Sequence, residues 1–274
     1  MRTSRMAIPN RYFGSPEQQG LERRAHLLWQ ILQDDPDYCF HGRAVGLLRT
    51  DTQDTSLQIA LARLQGLGPG TRLTPEVASS RRAAIEDAGL GLEIQQRWGA
   101  DESALAGARG FLCDSGLPAG LATVEVGPDT SDTDFDRLDD LTRACGILLP
   151  SAAFLRGAFG PAVSLYARTR AGEIVGFAAA LAQAKCAPSL QGEAWWGFLS
   201  TRQDWRGHGI ARRLGAKAML TMAERHGVRR FQTGILTGNA ASLSVSRSLG
   251  FRDTGLLDLL AIDAETLRNG RLAG

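Results

Sequence analysis

The stretch STRQDWRGHGIARRLGAKAML, residues 200–220, holds the residues whose types and spacing point most directly to chemistry. Gly207 and Gly209 flank His208, Arg206 precedes them, and a helix-like run begins near Ile210. Glycine reaches backbone angles closed to other residues and puts no side chain between the backbone and a ligand. The first amides of a helix have no internal partner, and the helix dipole adds partial positive charge there. A strand-to-helix corner of this kind is a seat for an anion such as a pyrophosphate. The dipole alone contributes only about 0.3–1 kcal/mol per charge, so several converging amides are needed, with Arg206 adding charge. A plain tight corner is the competing reading. The dinucleotide fingerprint is incomplete, because Arg212 stands where its third glycine belongs, and a Walker lysine is absent.

A second candidate group lies just before, in GEAWWGFLST. Strand alternation predicts Glu193, Trp195, Gly197 and Leu199 on one face. Glu193 reads either as a base or water-holding residue, or as an exposed carboxylate at a strand end. Trp195 and Trp196 point to opposite faces, one toward a pocket and one into the core; the sequence does not assign which. Asn239 opens the helix-like NAASLSVSRSLG and is a good cap in any protein. Ile210, Leu214, Ala218 and Met222 repeat at helical spacing and belong to the core. Cysteines 39, 113, 145 and 186 form no CxxC pair and the four histidines are scattered, so neither a zinc site nor a disulfide framework is expected.

The elements that must position these residues divide into two parts. A chain of 274 residues has room for one large domain or two small ones, and 43% apolar with 22% charged residues suits a sizeable core. To about residue 119 helix signals dominate and long strands are scarce. Helices are expected at SPEQQGLERRAHLLWQILQDD with Ser15 as cap, at TDTQDTSLQIALARLQGLGPG, at LTPEVASSRRAAIEDAGLG with Thr74 as cap, and at DESALAGARGFLCD. GLEIQQRWG reads as a short strand, and GLGPG with the following TRLTPE reads as a loop. GLPAG, residues 116–120, marks a boundary between an accessory N-terminal domain, 1–119, and a second domain, 120–274. The second part reads strand, helix, helix, then three strands, helix, strand, helix, strand. Its first helix carries a Thr133/Asp136 capping box, and its first two long strands form a hairpin about Ala171-Gly172.

The balance of charge excludes some partners. Net charge is +2, and the arginine pairs are not interleaved with aromatics, so no nucleic-acid surface is expected. The start MRTSRMAIPNRYFG lacks an apolar signal region, and no apolar run approaches the roughly 20 residues needed to cross a bilayer. A cytoplasmic protein with reduced thiols and no membrane partner is the expectation.

Arg206-Gly207-His208-Gly209-Ile210-Ala211 fits the R/Q-x-x-G-x-G/A pattern, and together with TGNAASLSVSRSLGF it resembles the GNAT (GCN5-related N-acetyltransferase) superfamily over roughly residues 121–265. The resemblance implies an α+β fold, an α/β/α sandwich with a mixed, mostly antiparallel sheet, in which strands 193–201 and 230–236 splay into a V. It implies acetyl-CoA as acyl donor, without a metal, its pyrophosphate on the amides from Arg206 to Ala211 (Gly207, His208, Gly209 and Ile210 between them). Pantetheine would pair with backbone at Leu199, Ser200 and Thr201. The Leu199 amide, at a bulge, would hold the thioester carbonyl. The His208 side chain occupies a variable position and only its amide matters. Asn239 matches a residue that touches pantetheine or closes the later helix.

Two departures follow from the same resemblance. The strand position where members often carry a glutamate corresponds here to Trp195, with Glu193 one alternation away. Where many members carry a thiolate-protonating tyrosine stands Ser246, which could hold a water or bond the sulfur, or simply face solvent. Mycothiol-synthase-like members lack that tyrosine too, and have two acetyltransferase-like halves. Residues 1–119 carry no cofactor loop, and are expected to shape the acceptor pocket or a homodimer. The implied activity is N-acetyl transfer to a primary amine of a small molecule or peptide; a non-catalytic acyl-CoA sensor on the same scaffold is the alternative.

Overall fold

The computed structural model describes residues 10–48, 55–114, 116–183 and 190–266. Cys186, the first nine residues and the leading residues of the second expected helix lie outside them. The N-terminal segment runs α1 (Pro16–Leu32), β1 (Tyr38–Phe40), β2 (Val45–Leu47), α2 (Thr55–Gln65), β3 (Leu67–Leu73), α3 (Pro75–Asp87), β4 (Gly91–Ala100) and α4 (Glu102–Asp114). The rest runs β5 (Leu121–Glu125), α5 (Asp132–Ala144), α6 (Ala152–Leu155), β6 (Ala162–Thr169), β7 (Ile174–Leu181), β8 (Glu193–Thr201), a 3-10 turn (Gln203–Trp205), α7 (Ile210–His226), β9 (Arg230–Leu236), α8 (Ala240–Ser248) and β10 (Arg252–Ile262).

The described strands form one sheet in the order β1-β2-β3-β10-β4-β9-β8-β7-β6-β5. Only β2 with β3 and β8 with β9 pair in parallel; the other neighbours are antiparallel. The fold is thus the expected α+β arrangement of helices on a mostly antiparallel sheet. Its two sequence segments share that sheet: β4, from the first, lies between β9 and β10 of the second. Gln95 to Ala100 pair with β9, and Gly91 to Gly99 with β10.

The core lies on both faces of the sheet. All eight residues of β7 are buried, as a strand covered on both sides must be. Val175, Ala178 and Ala180 join the cluster under α4 and α7, while Phe177, Ala179 and Leu181 join the one under α1, α5 and α6. The contact between α7 and β7 is close: a Cβ at Gly176 would lie 2.5 Å from Ile210 Cγ2. Ile210, Leu214, Ala218 and Met222 are all buried, as their spacing predicts. A smaller cluster from α2, α3, β3 and β10 closes the far end.

Local signals account for most elements. Ser15 makes a reciprocal capping box with Gln18, and Thr74 caps α3 with Pro75 at its first position. Three expectations are corrected. The cap of α5 is Ser131, whose hydroxyl accepts from the Asp134 amide at 3.1 Å, not a Thr133/Asp136 box. GLGPGTRL is not a loop but β3, paired on both edges. Its glycines serve packing: a Cβ at Gly70 would lie 2.8 Å from Gln58 Oε1, and one at Gly68 would strike the Gln58 carbonyl. The alternation along β8 does not run through to Leu199. The β7 step from Phe177 to Ala179 faces the β8 step from Ser200 to Gly197, one residue longer, and Phe198 takes φ +56°. This is a β-bulge.

Candidate active site

β8 and β9 pair only at Glu193↔Arg230, Ala194↔Phe231 and Trp195↔Gln232. Beyond Trp195 they diverge, although β8 continues to Thr201 and β9 to Leu236. The cleft between them is lined by Trp195 to Leu199 on one side, Thr233 to Leu236 on the other, and Asn239, Ser242 and Ser246 of the α8 end. Leu199, Asn239 and Ser246, widely separated in sequence, therefore meet in one space. Phe198 and Leu199 have no register partner on β7, because the bulge lifts them out of the ladder. Ser200 is buried, its hydroxyl 3.3 Å from the Phe198 carbonyl, and Thr201 returns to register opposite Gly176.

The glycine corner follows directly. Gly207 has φ +82° and Gly209 φ +69°, the latter as the left-handed N-cap of α7. The Arg206 amide donates to the Gln203 carbonyl at 3.2 Å, and the Arg213 amide to the Gly209 carbonyl at 3.1 Å. Among the described residues, the six amides between them, 207 to 212, have no acceptor. The run of open donors thus begins one residue later than the motif suggests. His208 is exposed, and its carbonyl takes a 2.7 Å hydrogen bond from Arg213 Nη1. The Arg206 side chain is exposed and donates to the Thr201 carbonyl at 3.3 Å, tying the corner to the end of β8. Ala211 is half-buried on the first turn. Free amides, left-handed glycines and two arginines suit a diphosphate.

Trp196 is fully buried, donates to the Gly215 carbonyl at 3.0 Å and packs on Phe251 at 4.6 Å. Trp195 is the cleft residue. Its ring reaches across the apex: a Cβ at Gly197 would lie 3.3 Å from its Nε1, and one at Gly234 3.1 Å from its Cη2. Ser246 does not face solvent; it is 1% exposed, and among the described residues its hydroxyl has no hydrogen-bond partner. Asn239 serves as both cap and cleft wall, its Oδ1 accepting from the Ser242 amide at 3.1 Å. Glu193 is not on the cleft wall. It is ion-paired with Arg72, and also lies 3.8 Å from Arg97 Nη2 and 3.9 Å from Arg230 Nε. Its oxygens are committed to guanidiniums.

A second cavity adjoins the cleft and is walled largely by the N-terminal segment, including His41, Arg43, Pro69 and Thr71. The two spaces share Arg43, Gln95, Trp195 and Phe198. Sequence reasoning missed Arg43, Gln95 and Arg213. The first two sit on elements distant in the chain, and only the pairing of β4 with β9 brings Gln95 to the site. Among the described residues, no group of three or more His, Cys, Asp or Glu side chains is placed to hold a metal ion, and no helix is long and apolar enough to cross a membrane.

Residues 133–251 match the model of the acetyltransferase (GNAT) family. Among solved structures, a GCN5-related N-acetyltransferase from Kribbella flavida aligns with TM-score 0.56 at 14% identity, covering 83% of this chain and 84% of its own. A Drosophila protein aligns with TM-score 0.53 at 11% identity, covering 90% and 89%. A conserved protein of unknown function from Staphylococcus epidermidis aligns with TM-score 0.50 at 8% identity, covering 81% and 84%. No curated protein matches the sequence. The chain thus shares the fold of the Kribbella flavida N-acetyltransferase over most of its length.

Proposed function

We propose that this chain transfers an acetyl group from acetyl-CoA to a primary amine of a small molecule or peptide. One observation carries the reading: the six open amides of residues 207–212 lie at the end of the same strand whose bulge and splay form the cleft. A diphosphate on those amides leaves the extended arm of the donor running along the free edge of β8, past Thr201 and Ser200, toward Leu199. When bound, acetyl-CoA supplies a thioester carbonyl open to attack.

The chain's own residues then have two tasks. The carbonyl oxygen gains charge, and the Leu199 amide at the bulge is the donor for it; removal of one such donor in other enzymes costs about 2.7–4 kcal/mol. The attacking amine must be neutral, and freeing a lysine-like amine at pH 7 costs about 4–5 kcal/mol. Ser246, buried at the cleft wall, is placed to hold a water or to hydrogen-bond the departing sulfur. Residues 1–119 act as an accessory segment: they complete the sheet with β4 and wall the cavity that an acceptor enters.

A second reading, an acyl-CoA sensor without turnover, is favoured by the engagement of Glu193 with three arginines and by serine at position 246. A thiol-release assay with acetyl-CoA against a broad amine panel separates the two. Acetyl transfer predicts free thiol and an acetylated amine with at least one panel member. Binding of acetyl-CoA with no thiol release from any amine would establish the sensor instead.

A further inference from the structure

The cavity beside the cleft has a composition that bears on the acceptor. Apolar atoms make up most of its wall. Away from the cleft that wall includes Leu67, Pro69, Phe154, Leu181 and Leu260, and the rings of Trp195 and Phe198 close the end shared with the cleft. The polar residues of the interior are bonded within the protein. Asp258 has both oxygens 2.9 Å from Arg97 Nη1 and also accepts from the Arg72 amide. His41 has Cys39 Sγ 3.0 Å from Nε2 and Gln183 Nε2 2.8 Å from Nδ1. Gln183 Oε1 accepts from Gln232 Nε2 at 3.1 Å, and Thr71 Oγ1 donates to the Leu47 carbonyl at 3.3 Å. Burial, helped by Arg97 and Arg43, holds the His41 pKa down to about 3, so its ring is neutral.

The wall shared with the cleft is different in kind. Gln95 donates from Nε2 to Glu93 Oε1 at 2.7 Å and turns Oε1 over Gly234. Arg43 donates to the Leu148 carbonyl at 2.7 Å, with Glu22 and Glu93 in its field. A substituent that passes this polar end meets hydrocarbon, aromatic rings and polar groups that already have partners. Burying hydrocarbon there is favourable, whereas a polar or charged substituent would give up its water for few new bonds.

Resting on the acetyl-transfer reading, we propose that the acceptor is a primary amine carrying a bulky apolar group, which fills this cavity while the nitrogen stays at the shared wall. In the step, the nitrogen–carbon bond forms and the carbon–sulfur bond breaks. One proton leaves nitrogen and one ends on sulfur, giving amide and thiol. The N-terminal segment thereby selects the acceptor: Leu67 and Pro69 of β3 face the apolar group, and Leu260 of β10, paired with Pro69, stands beside them.

The test is acetyl-CoA turnover by the full chain with propylamine, butylamine, hexylamine and 2-cyclohexylethylamine, a series in which the amine itself is constant. From propylamine to hexylamine kcat/KM should rise by about threefold to fourfold per methylene, at least about tenfold in all. 4-Aminobutyrate, which adds a carboxylate to propylamine, should fall below hexylamine. Leu260 is half-buried, and its variants read out the cavity itself. Leu260→Trp fills the space and Leu260→Gln makes it polar; both should cut the hexylamine-to-propylamine ratio at least about fivefold, with acetyl-CoA affinity by calorimetry within about twofold of wild type as the check on folding. A flat alkylamine series, 4-aminobutyrate above hexylamine, or a ratio unchanged in both variants would overturn the proposal. So would faster transfer from hexanoyl-CoA than from acetyl-CoA that Leu260→Trp abolishes, since the cavity would then hold the donor's chain. Thiol release with none of the amines, acetyl-CoA still binding, defeats acetyl transfer itself and this proposal with it.

Discussion

Gly234 lies directly beneath the side chain of Gln95: a Cβ at 234 would sit 3.0 Å from the Gln95 amide carbon and press against its Oε1. Both residues belong to paired strands, with Arg97 opposite Gly234. The glycine is what allows a side chain from the N-terminal segment to reach the cleft between β8 and β9. Gly234→Ala should therefore expel Gln95 from its position without disturbing the glycine corner. Acetyl-CoA affinity by calorimetry should stay within about twofold, while the amine KM rises because the wall shared by the cleft and the adjoining cavity changes shape.

The corner itself should fail in a different manner. Gly209 holds φ +69°, and a side chain there would also run into the Arg213 guanidinium that braces the His208 carbonyl. Valine is branched at Cβ and avoids that backbone region, at a cost of about 1–3 kcal/mol. Gly209→Val should lose acetyl-CoA binding by at least about tenfold in calorimetry, and Arg206→Glu should do so by reversing a charge at the same corner. Wild-type affinity in both variants would remove the anion seat from the account.

Trp196 fixes the cleft's inner strand to α7, through its hydrogen bond to the Gly215 carbonyl and through contact with the residue's bare face. A Cβ at Gly215 would meet Trp196 Cζ2 at 2.5 Å. Alanine is the better helix former by about 1 kcal/mol, yet overpacking a core costs about 1–3 kcal/mol. Gly215→Ala should lower stability in urea titrations. A midpoint equal to or above the wild type would show that the indole has room to move.

Glu22 links pH to stability. It is buried against the Ser151 amide, at 2.6 Å, with its other oxygen unpartnered, and burial raises its pKa to about 8. A carboxyl raised in the folded state contributes stability that is fully present below its unfolded pKa and lost as pH climbs through about 8. Neighbouring His26 runs the other way: burial lowers it to about 4, so its contribution is lost only as the medium acidifies toward that value. Between pH 6.5 and 8 the Glu22 effect stands alone of the two. Glu22→Gln should flatten the fall in Tm over that window and leave the variant more stable than the wild type at pH 8.

Much of the C-terminal half could be read from sequence because its signals are local. The bounds that the resemblance implied for the two splayed strands, 193–201 and 230–236, are those observed. The glycine corner was legible because Gly207 and Gly209 stand together directly before a helical run. What escaped the reading is non-local. β1 and β2 are three residues each, too short for any periodicity. β3 was hidden by Gly68, Pro69 and Gly70, which look like a turn but accommodate Gln58 of α2. The bulge that the resemblance implied at Leu199 takes its positive φ at Phe198, not at the neighbouring Gly197, and so shifts the face of Leu199. Nothing in the chain order indicates that β4 inserts between β9 and β10, and so nothing marked Gln95 as a cleft residue.

The most direct measurement is a crystal structure of the protein soaked in acetyl-CoA. The account predicts diphosphate oxygens within hydrogen-bond distance of several amides in the run 207–212, and the thioester beside the Leu199 amide within the cleft. Density for the nucleotide at any other surface, with those amides left to solvent, would contradict it.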